Sequence, residues 1–564
     1  MTLMDLAADR KRHGKHYTPV ELADFLATRT LSRLGASNRL TILDPACGDG
    51  ELLLAAHRAA AALGLHAELE LVGYDLDPTA VSIARDRAAA AGVPVRIEQG
   101  DFFALSRSLG AQVIDAVITN PPYVRTQQLG QEFAQKLASE FGLQGRVDLT
   151  HPFVALMPKL LRPGGILGLL CSNRFMTTKA GVNVRRILQT DLTPLEVFDL
   201  GDTRLFGAAV LPAIVVAANQ RTTGESDCPF SSAYEDSEAA PQAGLSLFSA
   251  LVADADSTVS QDGRAIKVKV GRLAHASSPA DPWRLAHTSG EAWLKSIESA
   301  TWKTFGEIAK IRVGIKTTAD GVFIGKDWEE RDPQPEAELL LPLITHDGVA
   351  AWHVDEMKSM KVLYPYDLSK PKRTLVDMHA YPRAMSYLES HAERLKGRKY
   401  VIEGGRQWYE IWVPQRPAEW AAPKIVFPDI SVAAQFALDE SGAIVNGDCY
   451  WISVTDIGSE DLALLMLAVA NSSLGQRYYD AVCGNKLYAG RRRWMTQYVA
   501  RLPLPFPDSD AARELVAAAR KLVRSAEPKP ALLATIDTLV EAAFAAGEGS
   551  APLPNEGMLL KRTR

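Results

Sequence analysis

Short apolar runs alternate with longer amphipathic stretches over about the first 220 residues of the chain. The short runs predict β-strands, and apolar residues at helical spacing predict helices between them. Strands separated by helices of this length predict a doubly wound, mostly parallel α/β sheet, whose ligands bind at the carboxyl ends of the strands. The predicted strands are 40–44, 70–75, 95–98, 114–119, 166–171, 195–200 and 209–217, and the predicted helices are 51–63, 78–91, 149–161 and 179–188.

The pattern changes after residue 221. Residues 222–244 are polar and acidic and show no periodicity, which is typical of a linker. From about Trp283 the chain has short β-like runs and aromatic residues interleaved with arginine and lysine, and 511–545 has a helical pattern. We therefore expect a catalytic α/β domain at 1–221, a linker, and an α+β domain at 245–564 that ends in helices.

Composition narrows the class of protein without deciding its function. A chain of 564 residues with 47% hydrophobic and 23% charged residues is typical of a protein with two or more folded domains. No apolar stretch reaches the roughly 20 residues that span a bilayer, and the start of the chain lacks the pattern of a signal peptide. The five cysteines are scattered, which favours a protein of the reducing cytoplasm. A net charge of −5 neither indicates nor excludes nucleic-acid binding, because a local patch decides that.

Acidic residues stand at the ends of three successive predicted strands. Asp44 is followed by a tight turn with Gly48, but the phosphate-loop lysine and the dinucleotide motif are both absent. Asp75 is placed to accept hydrogen bonds from both hydroxyls of a ribose. Asp101 can accept from an adenine amino group while Phe102 packs on the ring face. One such acid is usually a helix N-cap. Three acids at the ends of successive strands, one β-α unit apart, predict a site for a nucleoside-containing cofactor.

The sequence NPPY follows the fourth predicted strand. Pro121 and Pro122 stiffen the exit of the strand. The side-chain oxygen of Asn120 and the carbonyl of Pro121 then offer two acceptors for the two hydrogens of a planar amino group, which holds its nitrogen in line with a sulfonium methyl. Tyr123 supplies a face for a base to stack on. This arrangement predicts methyl transfer to an amino group without a metal or a strong general base.

Taken in order, these motifs resemble those of the gamma-group amino-methyltransferases. The members of that family are bacterial DNA enzymes, mostly from restriction–modification systems, and their target-recognition domain follows the catalytic domain. The resemblance covers 13–220 closely and, more loosely, 306–324. The segments that carry it are HYTPVELADFLA at 16–27, DPACGDG at 44–50, GYDLDP at 73–78, GDFF at 100–103, NPPY at 120–123 and RLFGAAVLPAIVVA at 204–217.

The resemblance implies S-adenosyl-L-methionine as the cofactor and N6 of adenine in DNA as the methyl acceptor. The implied target base is gripped by Asn120, Pro121, Pro122 and Tyr123, and Phe206 stacks on its other face. Asn120 also belongs to the cofactor site. The other cofactor residues are Tyr17, Thr18 and Pro19, which cover the methionine end, Asp44, Ala46 and Gly48, which line that end, Asp75 at the ribose, and Asp101 with Phe102 at the adenine.

A paired adenine cannot reach a pocket inside the protein, so the nucleotide must be rotated out of the duplex. The partner implied is therefore double-stranded DNA, and a companion restriction endonuclease is the second. The candidate DNA-contacting segments are 394–400, 404–412 and 484–494, and the last contributes the residues that we expect to bind DNA, which are Lys486, Arg491, Arg492, Arg493 and Trp494.

Three other acceptors share the amino-group chemistry: N4 of cytosine, a guanine in RNA and a glutamine in a protein. Cytosine enzymes tend to carry Ser or Asp in place of Asn120, and the RNA and protein enzymes are usually smaller and lack a following recognition domain. His346, His353 and His391 have no metal-ligand spacing, so no metal is expected. The acid-x-lysine fragment at 356–358 has no convincing partner for a nuclease site.

Overall fold

The computed structural model describes residues 17–106, 112–123, 131–145, 147–205, 211–220, 227–236, 239–274, 278–286, 288–355, 358, 360–483, 491–525 and 529–545. The chain forms two compact units, and the boundary lies between Thr288 and Ser289. Within the described ranges, every helix is too short or too polar to span a bilayer.

One mixed sheet forms the centre of the first unit. Its strands lie in the order β3-β2-β1-β4-β5-β7-β6-β8-β10-β11, and β9 pairs with β10. All pairs from β3 to β5 are parallel, β7 runs against both its neighbours, and β8 is parallel to β6. The strands are β1 (Arg39–Asp44), β2 (Glu68–Asp75), β3 (Val95–Gln99), β4 (Ile114–Thr119), β5 (Leu161–Ser172), β6 (Thr193–Asp199), β7 (Pro212–Ala218), β8 (Pro229–Glu235), β9 (Ser257–Gln261), β10 (Arg264–Leu273) and β11 (Leu285–Ala286).

Helices cover both faces of this sheet, as the doubly wound prediction requires. Alternate residues of β4 enter opposite cores, since Ile118 packs with α1, α2 and α3 and Val117 packs with α6 and α8. The helices are α1 (Val20–Leu31), α2 (Glu51–Ala62), α3 (Pro78–Ala90), α4 (Phe102–Leu105), α5 (Gln131–Phe141), α6 (Thr150–Leu160), α7 (Arg174–Thr177), α8 (Val182–Thr190) and α9 (Leu247–Leu251). The predicted fold class, seven strands and four helices are therefore confirmed.

The expected linker is wrong for its described residues. β8 lies inside 222–244, where it pairs with β6, and β10 pairs antiparallel with β8. Phe230 and Ala233 of β8 are buried. The strand was not predicted from the sequence because polar residues surround these two apolar positions. Trp283, which falls within the domain expected at 245–564, packs edge-on against Phe175 in the core of the first unit. The first unit therefore extends well beyond 221.

The second unit is α+β, as predicted, and has two buried cores. Its larger sheets have the orders β13-β21-β17-β19 and β14-β16-β15-β20, and β12–β23 and β18–β22 form two-stranded ribbons. One core packs around the helices Glu460–Asn471, Asp510–Arg524 and Pro530–Ala545, and the other around the tryptophans Trp328 and Trp420. The strands are β12 (Lys303–Thr304), β13 (Arg312–Val313), β14 (Ile324–Gly325), β15 (Leu340–Ile344), β16 (Met360–Leu363), β17 (Lys424–Pro428), β18 (Ile430–Ser431), β19 (Ala437–Asp439), β20 (Ile444–Val445), β21 (Cys449–Ser453), β22 (Arg492–Arg493) and β23 (Pro503–Leu504).

The described part of the second unit finishes with two helices, as the pattern at 511–545 predicts. Ser509 caps α20 by accepting a hydrogen bond from the backbone N–H of Ala512. The helices that belong to or begin this part of the chain are α10 (Thr288–Ser299), α11 (Phe305–Ile308), α12 (Asp320–Phe323), α13 (Pro382–Ser390), α14 (Ala392–Lys396), α15 (Lys399–Glu403), α16 (Val454–Ile457), α17 (Glu460–Asn471), α18 (Ser473–Cys483), α19 (Thr496–Val499), α20 (Asp510–Arg524) and α21 (Pro530–Ala545).

Candidate active site

The turn between β1 and α2 is built on two glycines in left-handed conformations, with φ of +55° at Gly48 and +82° at Gly50. Cys47 ties the turn to the neighbouring strand, because its N–H donates to the carbonyl of Tyr74 at 2.8 Å. A Cβ on Gly48 would stand 3.3 Å from the ring of Tyr17. The ring of Tyr17 therefore lies against the turn, and a side chain there would press on it.

Asp75 braces the same turn from the end of β2. Its Oδ2 accepts the N–H of Gly48 and its Oδ1 accepts the N–H of Asp77, both at 2.9 Å. A carboxylate has about four acceptor sites, so both oxygens retain capacity for hydroxyl donors. The next residue, Leu76, is 70% exposed. Leu76 was not among the predicted site residues, although an apolar residue between two acids at the end of a strand can indicate a side chain that is exposed at a ligand site.

Asp44 ends β1 and is completely buried. Its Oδ1 accepts the N–H of Ala46 at 3.1 Å, and its Oδ2 has no partner of acceptable geometry among the described residues. Burial raises the pKa of Asp44 to about 7, although the N–H of Ala46 and the hydroxyl of Thr119 oppose this. A buried carboxyl with a spare oxygen fits a cationic group, which would favour its ionised form.

The end of β3 corrects one expectation. Asp101 is exposed and caps α4, since its Oδ1 accepts the N–H of Phe103 at 3.0 Å. The ring of Phe102 is only 3% exposed and stacks on Phe153, with ring centres 5.9 Å apart and planes at 6°. Phe102 is thus a core residue in the described conformation, and its ring is not available to cover an adenine. Leu76, at the end of the neighbouring strand β2, is in contrast exposed.

Asn120 lies at the end of β4 between two hydroxyl groups. Its Nδ2 donates to the Thr18 hydroxyl at 3.2 Å, and its Oδ1 accepts the Tyr123 hydroxyl at 2.7 Å. Burial raises the pKa of Tyr123 well above its ordinary value of 10, so the phenol is a neutral donor at physiological pH. The amide is therefore oriented with its nitrogen towards Thr18 and its oxygen towards the hydroxyl of Tyr123.

The predicted site residues of the first unit come together at one edge of the sheet. Pro19, next to Thr18, is exposed and leads into α1, and Pro121 is buried behind Asn120. Phe206 lies outside the described residues. The contacts above connect the opening segment, the glycine turn and the NPPY motif through Tyr17, Thr18, Gly48, Asp75 and Asn120.

Trp494 is wrong as a predicted DNA contact. It is 1% exposed, its ring centre lies 4.3 Å from that of Tyr479, and its Nε1 donates to the Ser431 hydroxyl at 2.7 Å. Arg492 is held by a two-pronged ion pair with Asp480, with distances of 2.7 and 2.8 Å. A sequence pattern cannot distinguish such structural residues from surface ones.

Two of the other predicted DNA-binding residues remain near the surface. Arg491 is exposed, and Arg493 is partly exposed beside Asp429, at 3.3 Å. Lys486 lies outside the described residues. In the segment 394–400, Arg398 is 6% exposed and donates to the backbone carbonyls of Thr317 and Trp408, so it holds loops together.

An exposed aromatic and basic surface lies on α15 and the segment that follows. Tyr400 is 43% exposed and Ile402 is 47% exposed. Tyr400 packs edge-on against Trp412, and the guanidinium of Arg406 lies 4.7 Å from the centre of the same indole ring. We call this the Tyr400–Trp412 surface, and it also includes the exposed Lys399.

Within the described ranges, no three His, Cys, Asp or Glu side chains are placed to hold a metal ion.

Family models match both units. An "Eco57I restriction-modification methylase" model matches residues 95–206, a "Methyltransferase domain" model matches 42–139, and a "TaqI-like C-terminal specificity domain" model matches 363–504. Together with the sheet and the glycine turn, the matches define the first unit as a class I methyltransferase domain, for which S-adenosyl-L-methionine is the methyl donor.

Whole-chain relatives narrow this class. The type II methyltransferase M.BanIII of Aneurinibacillus aneurinilyticus is 36% identical over 550 residues, which are 93% of this chain and 95% of that protein. The adenine-specific methyltransferase PglX of Streptomyces coelicolor is 23% identical over 83% of this chain and 44% of its own length. The type IIL restriction–modification enzyme MmeI, solved in complex with DNA, shares the fold with a TM-score of 0.58 at 14% identity, over 95% of this chain and 72% of that one. The chain belongs to the type II DNA methyltransferases of restriction–modification systems.

Proposed function

We propose that this chain methylates the N6 amino group of an adenine that is rotated out of duplex DNA. The observation that carries the proposal is the arrangement Thr18–Asn120–Tyr123 at the end of β4, beside the glycine turn that Asp75 braces. An amide oxygen that accepts a hydrogen bond from a neighbouring tyrosine hydroxyl can instead accept one from a planar amino group that is presented edge-on.

In the proposed mechanism, the target amino group takes the place of the Tyr123 hydroxyl at Oδ1 of Asn120. The Thr18 hydroxyl retains Nδ2, so the amide cannot turn its nitrogen to the base without losing that bond. The carbonyl of Pro121 accepts the second N–H. Two acceptors on one nitrogen favour its nucleophilic form. N6 gains the methyl as the bond between that methyl and the sulfonium sulfur breaks, and the proton that N6 loses passes to solvent.

Four residues of the site fit the cofactor. S-adenosyl-L-methionine, when bound, supplies a methyl group already activated on a sulfonium. We propose that the buried carboxylate of Asp44 faces its cationic end, that Asp75 accepts the ribose hydroxyls, and that the exposed side chain of Leu76 covers the adenine in place of Phe102. Asp101, exposed at the end of β3, is the proposed acceptor for the adenine amino group.

We assign target recognition to the second unit. The described residues of the specificity-domain match, 363–483 and 491–504, lie in this unit, and the Tyr400–Trp412 surface combines cations with exposed aromatic and aliphatic groups. Such a surface can meet phosphates and reach base edges, which helps offset the few kcal/mol needed to unstack a base. A companion endonuclease that cuts the same sequence is the partner that this family membership favours.

Adenine is favoured over the other acceptors by two observations. Position 120 is asparagine rather than serine or aspartate, and PglX, which matches most of the chain, is named as adenine-specific. The large second unit favours DNA over a protein or a short RNA as the substrate.

Single-molecule sequencing of DNA from cells that express the chain tests the proposal. N6-methyladenine at one recurrent sequence is expected, and it should be absent from cells that express Asn120→Ala. N4-methylcytosine at that sequence would show that the methyl acceptor is cytosine and not adenine, and it would still agree with the proposed mechanism of methyl transfer to an amino group. Unmodified DNA, with soluble cofactor-binding protein in the cells, would refute the function.

A further inference from the structure

Arg204 is an exposed arginine in an unusual backbone conformation. It lies five residues beyond the end of β6, and its φ is +56°. Glycine adopts this left-handed region freely, whereas residues with a Cβ adopt it rarely. An arginine at such a position calls for a reason other than local backbone preference.

The turn that precedes Arg204 is buried and braced. Asp202 and Thr203 are 1% and 0% exposed. Arg264 donates to their carbonyls at 3.0 and 2.9 Å, and Oδ1 of Asp202 accepts the N–H of Glu235 at 2.7 Å. These bonds fix the turn in place, so Arg204 is presented to solvent from a rigid base. Rigid support of an exposed functional side chain is a common reason for strained backbone.

Arg204 lies at the same edge of the sheet as Asn120. β4, β5 and β6 run in one direction, and β6 is the third strand from β4 in the order β4-β5-β7-β6. With strands about 4.8 Å apart, their ends are separated by about 14 Å. One DNA strand rises about 3.4 Å per nucleotide, so this separation spans about four nucleotides. Arg174, exposed just after β5, lies between them at this edge.

We propose that Arg204 binds a backbone phosphate of the DNA strand that carries the target base. The first unit then holds that strand close to the site of extrusion and does not leave all DNA contacts to the second unit. A guanidinium matches the geometry of a phosphate, and such a contact positions DNA without reading its sequence. The inference rests on the proposed DNA methylation and adds a contact that methylation alone does not require.

Arg204→Gly separates this role from a structural one. It removes the cation and also releases the backbone from its left-handed strain, so the melting temperature should stay the same or rise. Affinity for a duplex that the wild type methylates, measured with S-adenosylhomocysteine present, should fall roughly tenfold at low salt. The slope of log K against log salt should become shallower by about 0.9, as for one lost phosphate contact. Arg204→Lys should keep the wild-type slope.

Two control variants isolate the effect. Asp262 is also left-handed, with φ of +50°, in the turn between β9 and β10, so Asp262→Gly gives similar backbone relief without touching the proposed contact. Arg96→Gln removes an exposed cation at the amino end of β3. Both should keep the wild-type salt slope. An unchanged slope or a lower melting temperature for Arg204→Gly would overturn the inference. Failure of the wild type to bind or methylate DNA would instead refute the proposed function.

Discussion

The buried carboxyl of Asp44 predicts that cofactor affinity depends on pH near neutrality. Burial raises the pKa of Asp44 to about 7 in the protein without cofactor. If the cationic end of the cofactor binds only the ionised carboxylate of Asp44, a protonated Asp44 must lose its proton before the cofactor can bind. Affinity is then divided by 1 + 10^(pKa−pH), a factor of about 1.1 at pH 8, 2 at pH 7 and 11 at pH 6. Binding should thus weaken about tenfold between pH 8 and pH 6.

The folded protein should show the opposite trend. Because the folded pKa of Asp44 lies above its ordinary value of 3.8, the folded state binds more protons than the unfolded state between these values. This carboxyl therefore costs about 1.4 kcal/mol of stability for each pH unit gained in that window. The stability that Asp44 contributes is complete below pH 3.8 and is lost as the pH rises towards 7.

Isothermal titration calorimetry with S-adenosyl-L-methionine from pH 6 to pH 8 tests the first trend, and Asp44→Asn is its control. The amide is similar in size and does not ionise, so its affinity should be lower and nearly independent of pH. Denaturant unfolding of the cofactor-free protein over the same range should show a weaker pH dependence in Asp44→Asn. Equal pH profiles for wild type and variant would refute the role given to Asp44.

Four further predictions concern single positions. Asp75→Ala should weaken cofactor binding at least tenfold, about 1.4 kcal/mol, because it removes an acceptor and the brace of the glycine turn; unchanged calorimetric affinity would remove Asp75 from the site. Asn120→Ala should lower the single-turnover methylation rate by roughly a hundredfold to a thousandfold with cofactor binding nearly intact, and a fully active variant would contradict the mechanism. Tyr123→Ala should reduce the fluorescence rise of 2-aminopurine at the target base, since it removes stacking of about 1–3 kcal/mol, whereas Tyr123→Phe should retain it. Trp494→Ala should destabilise the protein by about 3–5 kcal/mol in denaturant unfolding; a stable variant with weakened DNA binding would restore the surface role.

The amino-acid sequence determined the first unit from β1 to β7 and the edge of the sheet at which the candidate site lies. Hydrophobic residues repeat with different periods in strands and in helices. The alternation of strands with helices could therefore be predicted without knowledge of any tertiary contact. The location of the site could be predicted because parallel strands bring their carboxyl ends to one edge of the sheet. Asp44 and Asp75 end their strands there, and Asn120 directly follows its strand. The matched relatives then confirmed the family that the ordered motifs had indicated.

Only the tertiary structure decided which side chains are exposed. Phe102 directly follows Asp101 and Trp494 directly follows three arginines, yet both are core residues, because they pack on residues that are not their sequence neighbours. The same applies to Arg398 and Arg492, whose charges are taken up by carbonyls and by Asp480. β8 was missed because its pairing with β6 stabilises a short run that has little strand preference of its own. Local pattern specifies an element, whereas burial and pairing depend on residues that only folding brings near.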